Sequence, residues 1–468
     1  MLKQTRPSWL IALTLICSLL LAACGSSSVI TTSVATKEAS TTPDIPYTAT
    51  ALPTPILSST EIRIGVIGPF TGPADTLGNS IRYGVELATD DANAAGGING
   101  RKIVLIERDD KTEPEIGLSN VQDLIEKEKA NALIGTANTG AAAREVPLVN
   151  QDKIPWIIPV ASGPLTSSNT ISPTGIITSS NTISPTGTIT SSNTISPTGI
   201  ITSSNTISST GTITNSDTTP KINYVFRLSM RDDDQAAFVA SYVVDKLKAQ
   251  KIAVLHDSSN YGNLGKDDLL KTFNEKNVKP LMVESFKTYD SADNFKALLT
   301  KVKQAGADTL VIWCPGADAV GIRNAAKEVG LNITTVGPWN LSMPPFSTNA
   351  KGLEEGALVP QTISVDSTNP KAIELFDKYK KKYKTDTINF PSGLVQSYDA
   401  MNMLIAALKQ PGTMDSRDKL RDALANLDSY EGVIKKYEKP FGNQNQEALN
   451  RDDFLMTTWK GGKLVKLG

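Results

Sequence analysis

The segment Ile62-Arg63-Ile64-Gly65-Val66-Ile67-Gly68 begins the part of the chain that can fold, and it sets the pattern for the rest. It is a nearly continuous apolar run that ends in a Gly-Pro turn, which is typical of a strand buried on both faces of a sheet. Residues 80–95 then carry apolar side chains at positions 81, 85 and 88, and Gly96-Gly97 ends this predicted helix. A second strand is predicted at 102–107.

The same alternation of strands and helices continues along the chain. Further strands are predicted at 132–135, 156–159, 224–227, 251–256, 281–286 and 309–313. Helices are predicted at 114–127, 141–150, 236–249, 263–276, 293–305 and 318–329. This regular order predicts an α/β protein with parallel sheets covered by helices, in two successive units.

The composition excludes several classes of function. The chain has 468 residues, with 47 Lys and Arg against 48 Asp and Glu, and this near-neutral balance argues against nucleic-acid binding. It has three cysteines and one histidine, His256, which exclude a disulfide scaffold and a His-cluster metal site. We expect no catalytic residue, no metal and no cofactor. Cys314, beside an apolar strand, is expected to be a core residue.

The N-terminus has the features of an export signal. Lys3 and Arg6 precede an apolar run from Trp9 to Ala23, which is too short to span a bilayer and fits a signal peptide over residues 1–23. Leu21-Ala22-Ala23-Cys24 resembles a bacterial lipobox, which implies a lipid on Cys24. The alternative is an ordinary Ala-x-Ala cleavage site with an incidental cysteine. Residues 24–60, rich in Ser, Thr and Pro, are predicted to be a disordered tether behind the anchor.

A repeat of twelve residues occupies Ser167 to Thr214, in four copies of the form SSNTISPTGxIT. Each copy contains only two or three apolar residues, and the first three contain a Pro-Thr-Gly turn, where the fourth has Ser209 in place of Pro. The favoured interpretation is an exposed low-complexity insertion over 167–220. The alternatives are a small β-solenoid or stacked hairpins, since Thr and Ile favour strands.

Acidic runs and glycine-rich turns give no specific motif. The chain contains no G-x-G-x-x-G, no P-loop and no G-x-S-x-G. Asp109-Asp110 and Asp232-Asp233-Asp234 could be metal ligands, but such runs more often lie in solvated loops or cap helices.

Two stretches near the start carry a family resemblance. Ile64-Gly65-Val66-Ile67-Gly68-Pro69-Phe70-Thr71-Gly72-Pro73 and Asp91-Ala92-Asn93-Ala94-Ala95-Gly96-Gly97-Ile98-Asn99-Gly100 resemble the first strand–helix unit of leucine/isoleucine/valine-binding proteins. Tyr261-Gly262 and Gly337-Pro338 follow in the order of that family. The resemblance covers about residues 61–468, with the repeat as an insertion.

The resemblance implies a two-lobe type I periplasmic-binding fold. Each lobe would be a mostly parallel sheet flanked by helices, and three segments would cross between the lobes, near 228–234, 359–366 and 428–432. Lobe I is then expected at 61–230 plus 363–430, and lobe II at 231–362 plus 431–468.

Two loops of lobe I are expected to hold the ligand. Residues 135–141 and 159–163 follow strands, and a helix N-terminus offers free N–H groups to a carboxylate. By resemblance, Thr139 would bind the carboxylate with Gly140, and Ser162 would contact both ends of the ligand beside Val160. Thr139 and Ser162 could instead be cap or turn residues.

Lobe II departs from the family pattern. Tyr261 is expected to face the cleft, unless it is an exposed turn aromatic. Where the family has an acidic residue after Gly-Pro, this chain has Trp339, so Asp318 is the nearest candidate partner for a ligand ammonium. Asp318 could also be an N-terminal charge partner of its helix. The ligand could therefore be an amino acid, another small carboxylate or an amide.

The resemblance implies a substrate-binding lipoprotein of an ABC importer, not an enzyme. It would be extracytoplasmic, held at the outer face of the membrane by Cys24, and would present its ligand to permease subunits. We expect a monomer that does not bind nucleic acid. The alternative function is a sensor that reports its ligand to a signalling partner; an enzyme, or an adhesin that uses the repeat, is less favoured.

Overall fold

A computed structural model of the protein describes residues 60–163, 165–166, 205–207, 213–215, 223–442 and 445–467. The predicted signal peptide, the lipobox with Cys24 and the tether lie outside the described residues. Within those ranges no helix combines the length and the apolar composition needed to cross a bilayer.

Strands and helices alternate along most of the described chain. The strands are β1 (Glu61–Gly68), β2 (Lys102–Asp109), β3 (Ala132–Ile134), β4 (Trp156–Ile158), β5 (Asn205–Ile207), β6 (Ile213–Asn215), β7 (Val225–Arg227), β8 (Ile252–Asp257), β9 (Met282–Phe286), β10 (Thr309–Trp313), β11 (Thr334–Val336), β12 (Leu358–Gln361), β13 (Ser429–Glu431), β14 (Lys436–Glu438), β15 (Leu455–Lys460) and β16 (Lys463–Lys466). The helices are α1 (Asp75–Ala94), α2 (Pro114–Glu126), α3 (Thr139–Gln151), α4 (Asp232–Asp245), α5 (Asn260–Glu275), α6 (Ala292–Ala305), α7 (Gly316–Glu328), α8 (Phe346–Asn349), α9 (Pro370–Tyr383), α10 (Pro391–Leu408) and α11 (Arg417–Ala425). The predicted α/β alternation is confirmed, with ends that differ by a few residues.

The first sheet has five parallel strands in the order β2-β1-β3-β4-β7. Successive side chains of a strand point to opposite faces. In β1, Ile64 and Val66 therefore join the core beneath α1 and α10, whereas Ile67 joins the core beneath α2 and α3. Because both faces are covered, the strand is apolar at nearly every position.

The second sheet has seven strands in the order β16-β15-β12-β11-β10-β8-β9. The five from β9 to β12 are parallel, and β15 and β16 add an antiparallel edge. Leu255 and Ile312 face the core formed with α6 and α7, while Val254 and Trp313 face the core formed with α4 and α5. The two sheets are thus built in the same way.

The chain passes three times between the two sheets. The first passage, 228–231, joins β7 to α4, and the second, 362–369, joins β12 to α9. The third lies between β14 and β15 and not at 428–432, because β13 and β14 pair with each other beside α10. Asp399 of α10 holds this hairpin by accepting hydrogen bonds from the backbone N–H of Val433, 2.9 Å, and from the Tyr437 hydroxyl, 3.1 Å.

The repeat insertion leaves and returns at adjacent points of the first sheet. The Asn223 side chain donates to the carbonyl of Thr166 at 3.0 Å, and Arg421 Nε donates to the carbonyl of Asn223 at 3.0 Å. Strands β4 and β7 can therefore pair directly on either side of the insertion. Within the repeat, β5 and β6 form a short antiparallel hairpin. The other repeat residues lie outside the described part.

Candidate functional site

The loop from β3 to α3 presents a helix N-terminus at the end of the first sheet. The Asn138 side chain caps α3 by accepting from the N–H of Ala141 at 3.1 Å. Other N–H groups of a first helical turn have no acceptor within the helix. Thr139 Oγ1 accepts from the N–H of Gly163 at 3.1 Å, and its own hydrogen remains available to donate. The predicted Thr139 and Gly140 thus lie where an anion could bind.

The loop after β4 is held against Thr139 on one side and Arg227 on the other. A Cβ atom at Gly163 would lie 2.2 Å from Thr139 Cγ2, so only glycine allows this approach. The carbonyl of Gly163 accepts from the Arg227 guanidinium. Val160 is only 2% exposed and belongs to the core, whereas Ser162 is partly exposed. Of these two predicted residues, Ser162 is the one whose side chain can reach a ligand.

Asp232, the first residue of α4, lies next to this loop. Its N–H donates to the carbonyl of Ser162 at 3.3 Å. Burial raises the pKa of the Asp232 carboxyl to about 6, although the Ser162 hydroxyl, the charge of Arg227 and the Trp339 indole act in the opposite direction. The sequence placed Asp232 in a solvated or capping run, which does not describe this half-buried carboxylate.

Tyr261 approaches from the second sheet, in the first turn of α5. The Ser259 side chain caps that helix by accepting from the N–H of Gly262 at 3.4 Å. The Tyr261 ring lies 6.0 Å from that of Trp313, centroid to centroid. Burial, followed by the charge of Asp232, raises the pKa of the Tyr261 hydroxyl well above its usual value. Tyr261 therefore lies near Asp232 and is not an exposed turn aromatic.

Trp339 contacts residues that belong to both halves of the fold. Its N–H donates to Gln235 Oε1 at 2.5 Å, and its carbonyl accepts from Gln361 Nε2 at 3.2 Å. Its indole stacks on Phe390, which precedes α10, with ring centroids 4.9 Å apart and an interplanar angle of 28°. Trp339 is 7% exposed and packs in the same apolar cluster as Val160.

Asp318 lies in the first turn of α7. Its carboxylate accepts from the N–H of Tyr289 at 3.2 Å, and it is only 2% exposed. Burial raises the pKa of this carboxyl. Asp318 thus holds the loop that contains Tyr289, beside the second sheet. Nearby, Cys314 is fully buried, as expected for a core residue.

We call Ser162, Asp232, Tyr261 and Trp339 the junction cluster. Thr139 and Gly140 adjoin it through Gly163. The loops that follow strands of the first sheet contribute hydroxyls and a helix N-terminus, and the start of α4 contributes Asp232. Asp232 and Phe390 are the residues that sequence reasoning missed. The available signals were the position of Asp232 directly after a crossing and of Phe390 directly before the helix-initiating Pro391.

The chemistry of the cluster is that of binding by hydrogen bonds and charge. His256, the single histidine, has Nδ1 3.0 Å from the carbonyl of Asp257 and takes no part in the cluster. Across the ranges that the structure describes, no three His, Cys, Asp or Glu side chains are grouped so as to hold a metal ion.

Comparison with known proteins identifies the architecture. The family model for periplasmic binding proteins matches residues 61–193 and 186–463. The chain belongs to the periplasmic binding protein family. The resemblance noted in the sequence is confirmed, and membership implies an extracytoplasmic location.

Individual relatives agree with this assignment. Leu/Ile/Val-binding protein homolog 3 of Brucella melitensis is 26% identical over 416 residues, which cover 87% of this chain and 94% of the relative. The substrate binding protein LivJ from Streptococcus pneumoniae, in complex with isoleucine, has a TM-score of 0.64 and 23% identity, covering 87% of this chain and 100% of LivJ. A solute binding protein from R. palustris, in complex with benzoate, has a TM-score of 0.62 and 20% identity, covering 87% of this chain and 96% of its own. The two structural likenesses confirm the predicted two-lobe α/β fold.

Proposed function

We propose that this protein is the solute-binding component of an ABC importer and that it binds an amino acid or a related small carboxylate or amide at the junction cluster. The names of its relatives support this class of ligand: one is a Leu/Ile/Val-binding protein, and two similar structures hold isoleucine and benzoate. The observation that carries the proposal is the convergence of polar groups from both sheets, since Ser162 follows β4 and Tyr261 follows β8.

The lobes would follow the three passages of the chain. Lobe I would contain the first sheet with α9 to α11, and lobe II would contain the second sheet with α4 to α8. Ligand contacts from both lobes stabilise the closed form by the difference between its affinities for the closed and open states. A permease could then recognise the closed form.

The carboxylate end of the ligand would bind at lobe I. The N–H groups at the start of α3 and the hydroxyls of Thr139 and Ser162 are hydrogen-bond donors suited to an anion. The contacts that fix the Gly163 loop between Thr139 and Arg227 would pre-organise these donors before the ligand arrives.

Ligand screening by thermal unfolding tests the proposal. A ligand at a hundred times its dissociation constant contributes about 2.7 kcal/mol to the stability of the folded state, so it should raise the Tm clearly. Amino acids, amides and short carboxylic acids are added singly to protein that lacks residues 1–59. A screen in which no compound of these classes raises the Tm would contradict the proposal.

Substitution of the two hydroxyls tests where the carboxylate binds. Thr139→Val and Ser162→Ala should each weaken binding of a screened ligand by about 10- to 100-fold, because each removes a hydrogen bond to a charged group. Isothermal titration calorimetry measures the affinity. Thr300→Val is the matched control, since its hydroxyl lies on the exposed face of α6 and bonds only to the carbonyl of Lys296 at 2.7 Å. Unchanged affinity in both loop variants would place the carboxylate elsewhere.

We also propose that Cys24 carries the lipid anchor. The support is the sequence Leu21-Ala22-Ala23-Cys24 behind a charged and then apolar N-terminus. Cys24→Ser should abolish incorporation of a labelled fatty acid and release the protein from the membrane fraction, with Cys17→Ser as the control. Labelling that persists in the Cys24 variant would contradict the anchor.

A further inference from the structure

A cavity opens between α1, the end of α9 and the loop that joins α9 to α10. Its volume is about 320 Å³, which lies at the lower end of the range of small-molecule sites. None of the junction-cluster residues is among the described residues that line it. Phe390 forms part of its wall and also stacks on Trp339. The proposed solute-binding site therefore does not account for this cavity.

Three tyrosine rings form one wall of the cavity. The ring centroid of Tyr83 lies 5.6 Å from that of Tyr379 and 4.2 Å from that of Tyr383. The two rings from α9 lie 5.0 Å apart, and the Tyr383 hydroxyl donates to Glu86 Oε2 at 2.6 Å. Tyrosine offers an apolar face together with a polar edge, and the mutual packing of these three rings holds that surface in place. We call them the tyrosine wall.

Asn79 of α1 brings an unsatisfied acceptor to the same cavity. Its Nδ2 donates to the carbonyl of Phe70 at 3.3 Å, and this bond orients the amide. Asn79 Oδ1 is buried, and no described residue bonds to it. Buried polar atoms in folded proteins nearly always have partners. Because Asn79 lines the cavity, a guest there can supply the missing donor.

The charges around the cavity favour a neutral guest. Among the described residues that line it, Asp75 is the only charged one, so the cavity offers an anion no cationic partner. A cation would meet rings that already interact with one. The Arg82 guanidinium carbon lies 5.4 Å from the Tyr83 ring centroid, and Lys382 Nζ lies 5.3 Å from that of the second α9 tyrosine. The guest that suits the tyrosine wall and the unpartnered acceptor is therefore neutral and carries hydrogen-bond donors.

We propose that this cavity binds a neutral, hydroxyl-rich molecule of the size of a monosaccharide or a cyclic polyol. The apolar face of its ring would pack on the tyrosine wall, and its hydroxyls would donate to Asn79 Oδ1 and to the Asp75 carboxylate. Asp75 and Thr387 are exposed, so such a molecule can enter from solvent. The inference goes beyond the proposed function, because it assigns a second site that is lined by other residues than the junction cluster.

Neutral and charged sugars test the inference on the unaltered full chain. The neutral probes are D-glucose, D-galactose and myo-inositol, and the charged probes are D-glucosamine and D-glucuronate. Titrations followed by saturation-transfer NMR measure the dissociation constants. We expect at least one neutral probe to bind with a dissociation constant below about 5 mM and at least about 10-fold more tightly than either charged probe.

A blocked cavity shows where the probe binds. Thr387→Trp fills the cavity from an exposed position in the loop before α10 and should weaken binding of that probe at least about 10-fold. Thr300→Trp, on the exposed face of α6, is the matched control and should change the affinity less than about twofold. Asn79→Ala removes the acceptor and should weaken binding about fivefold, as expected for one neutral hydrogen bond. Circular dichroism shows whether each variant is folded.

The outcomes concern the cavity alone and leave the solute-binding function to its own tests. Failure of every neutral probe to bind the unaltered chain overturns the inference, as does a charged probe that binds equally well or more tightly. These two results stand even if a variant does not fold. Binding that persists undiminished in a folded Thr387→Trp or Asn79→Ala variant places the probe elsewhere and overturns the inference as well.

Discussion

Glu145 gives the folded state an unusual dependence on pH. This residue of α3 is 0% exposed, and neither carboxylate oxygen has a hydrogen-bond partner among the described residues. It packs against α2, where a Cβ atom at Gly117 would lie 2.2 Å from Glu145 Oε1. Burial, assisted by the charge of Asp110, raises the pKa of the Glu145 carboxyl from 4.5 to about 8.

The raised pKa makes the protein less stable as the pH increases. Below pH 4.5 the carboxyl is protonated in both the folded and the unfolded chain, and its contribution is constant. Between 4.5 and about 8 the unfolded chain releases the proton while the folded chain retains it, so folding is disfavoured by about 1.4 kcal/mol per pH unit. The full effect is on the order of 5 kcal/mol and is complete above about pH 8.

Glu145→Gln removes this titration while keeping the size of the side chain. The free energy of unfolding of the variant, relative to that of the unaltered protein, should therefore increase by about 3 kcal/mol between pH 5 and 7.5. Urea unfolding followed by circular dichroism at several pH values measures the difference. Asp110 is present in both proteins, so its own titration largely cancels.

An exposed glutamate of the neighbouring helix serves as control. Glu115 of α2 has a side chain that is 72% exposed and pairs with Arg144, so Glu115→Gln should shift stability by the same small amount at every pH. If the difference between Glu145→Gln and the unaltered protein also stays constant from pH 5 to 7.5, Glu145 does not hold its proton in the folded state.

Three other perturbations follow from the contacts described above. Asp399→Asn should lower the free energy of unfolding by about 2–4 kcal/mol in urea titrations, because it weakens charged hydrogen bonds to the Tyr437 hairpin; a change below 0.5 kcal/mol would contradict that role. Replacement of residues 167–222 by a short Gly-Ser linker should leave the Tm and the ligand affinity nearly unchanged, because a hydrogen bond already joins Asn223 to Thr166. A large decrease in Tm would show that the repeat supports the fold. Trp339→Ala removes the stacking contact with Phe390, which contributes about 0.5–1.5 kcal/mol beyond the burial of area. The ligand-free variant should therefore shift toward the open form, which X-ray scattering would detect as a larger radius of gyration. An unchanged radius of gyration would show that this stacking contact does not hold the two lobes together.

The parallel sheets were predictable because their central strands are buried on both faces. A segment such as residues 62–68 must be apolar on both sides, and this requirement is visible without any knowledge of its neighbours. Apolar residues at helical spacing, followed by glycines that end the pattern, then indicated the helices between the strands. The start of α4 was placed four residues late, at 236, because its first turn consists of acidic residues that carry no apolar period.

The third passage between the sheets was displaced because long-range contacts determine it. Strands β13 and β14 are three residues each, too short for a clear pattern. Their position depends on Asp399, which lies 34 residues before Val433 and accepts hydrogen bonds from the N–H groups of Val433 and Ile434. The sequence of the hairpin itself does not indicate such a distant partner, so the packing of β13 and β14 against α10 could not be predicted.

The site was only partly predictable, for a related reason. Thr139 and Ser162 follow strands of the first sheet, and the ends of parallel strands meet at one edge, so their proximity can be foreseen from topology. Asp232 stands in a run of three acids, and sequence alone treats the three alike. What distinguishes Asp232 from its neighbours is the direction in which its side chain leaves the helix. Asp233 faces Arg231, whereas Asp232 faces Ser162 and Trp339.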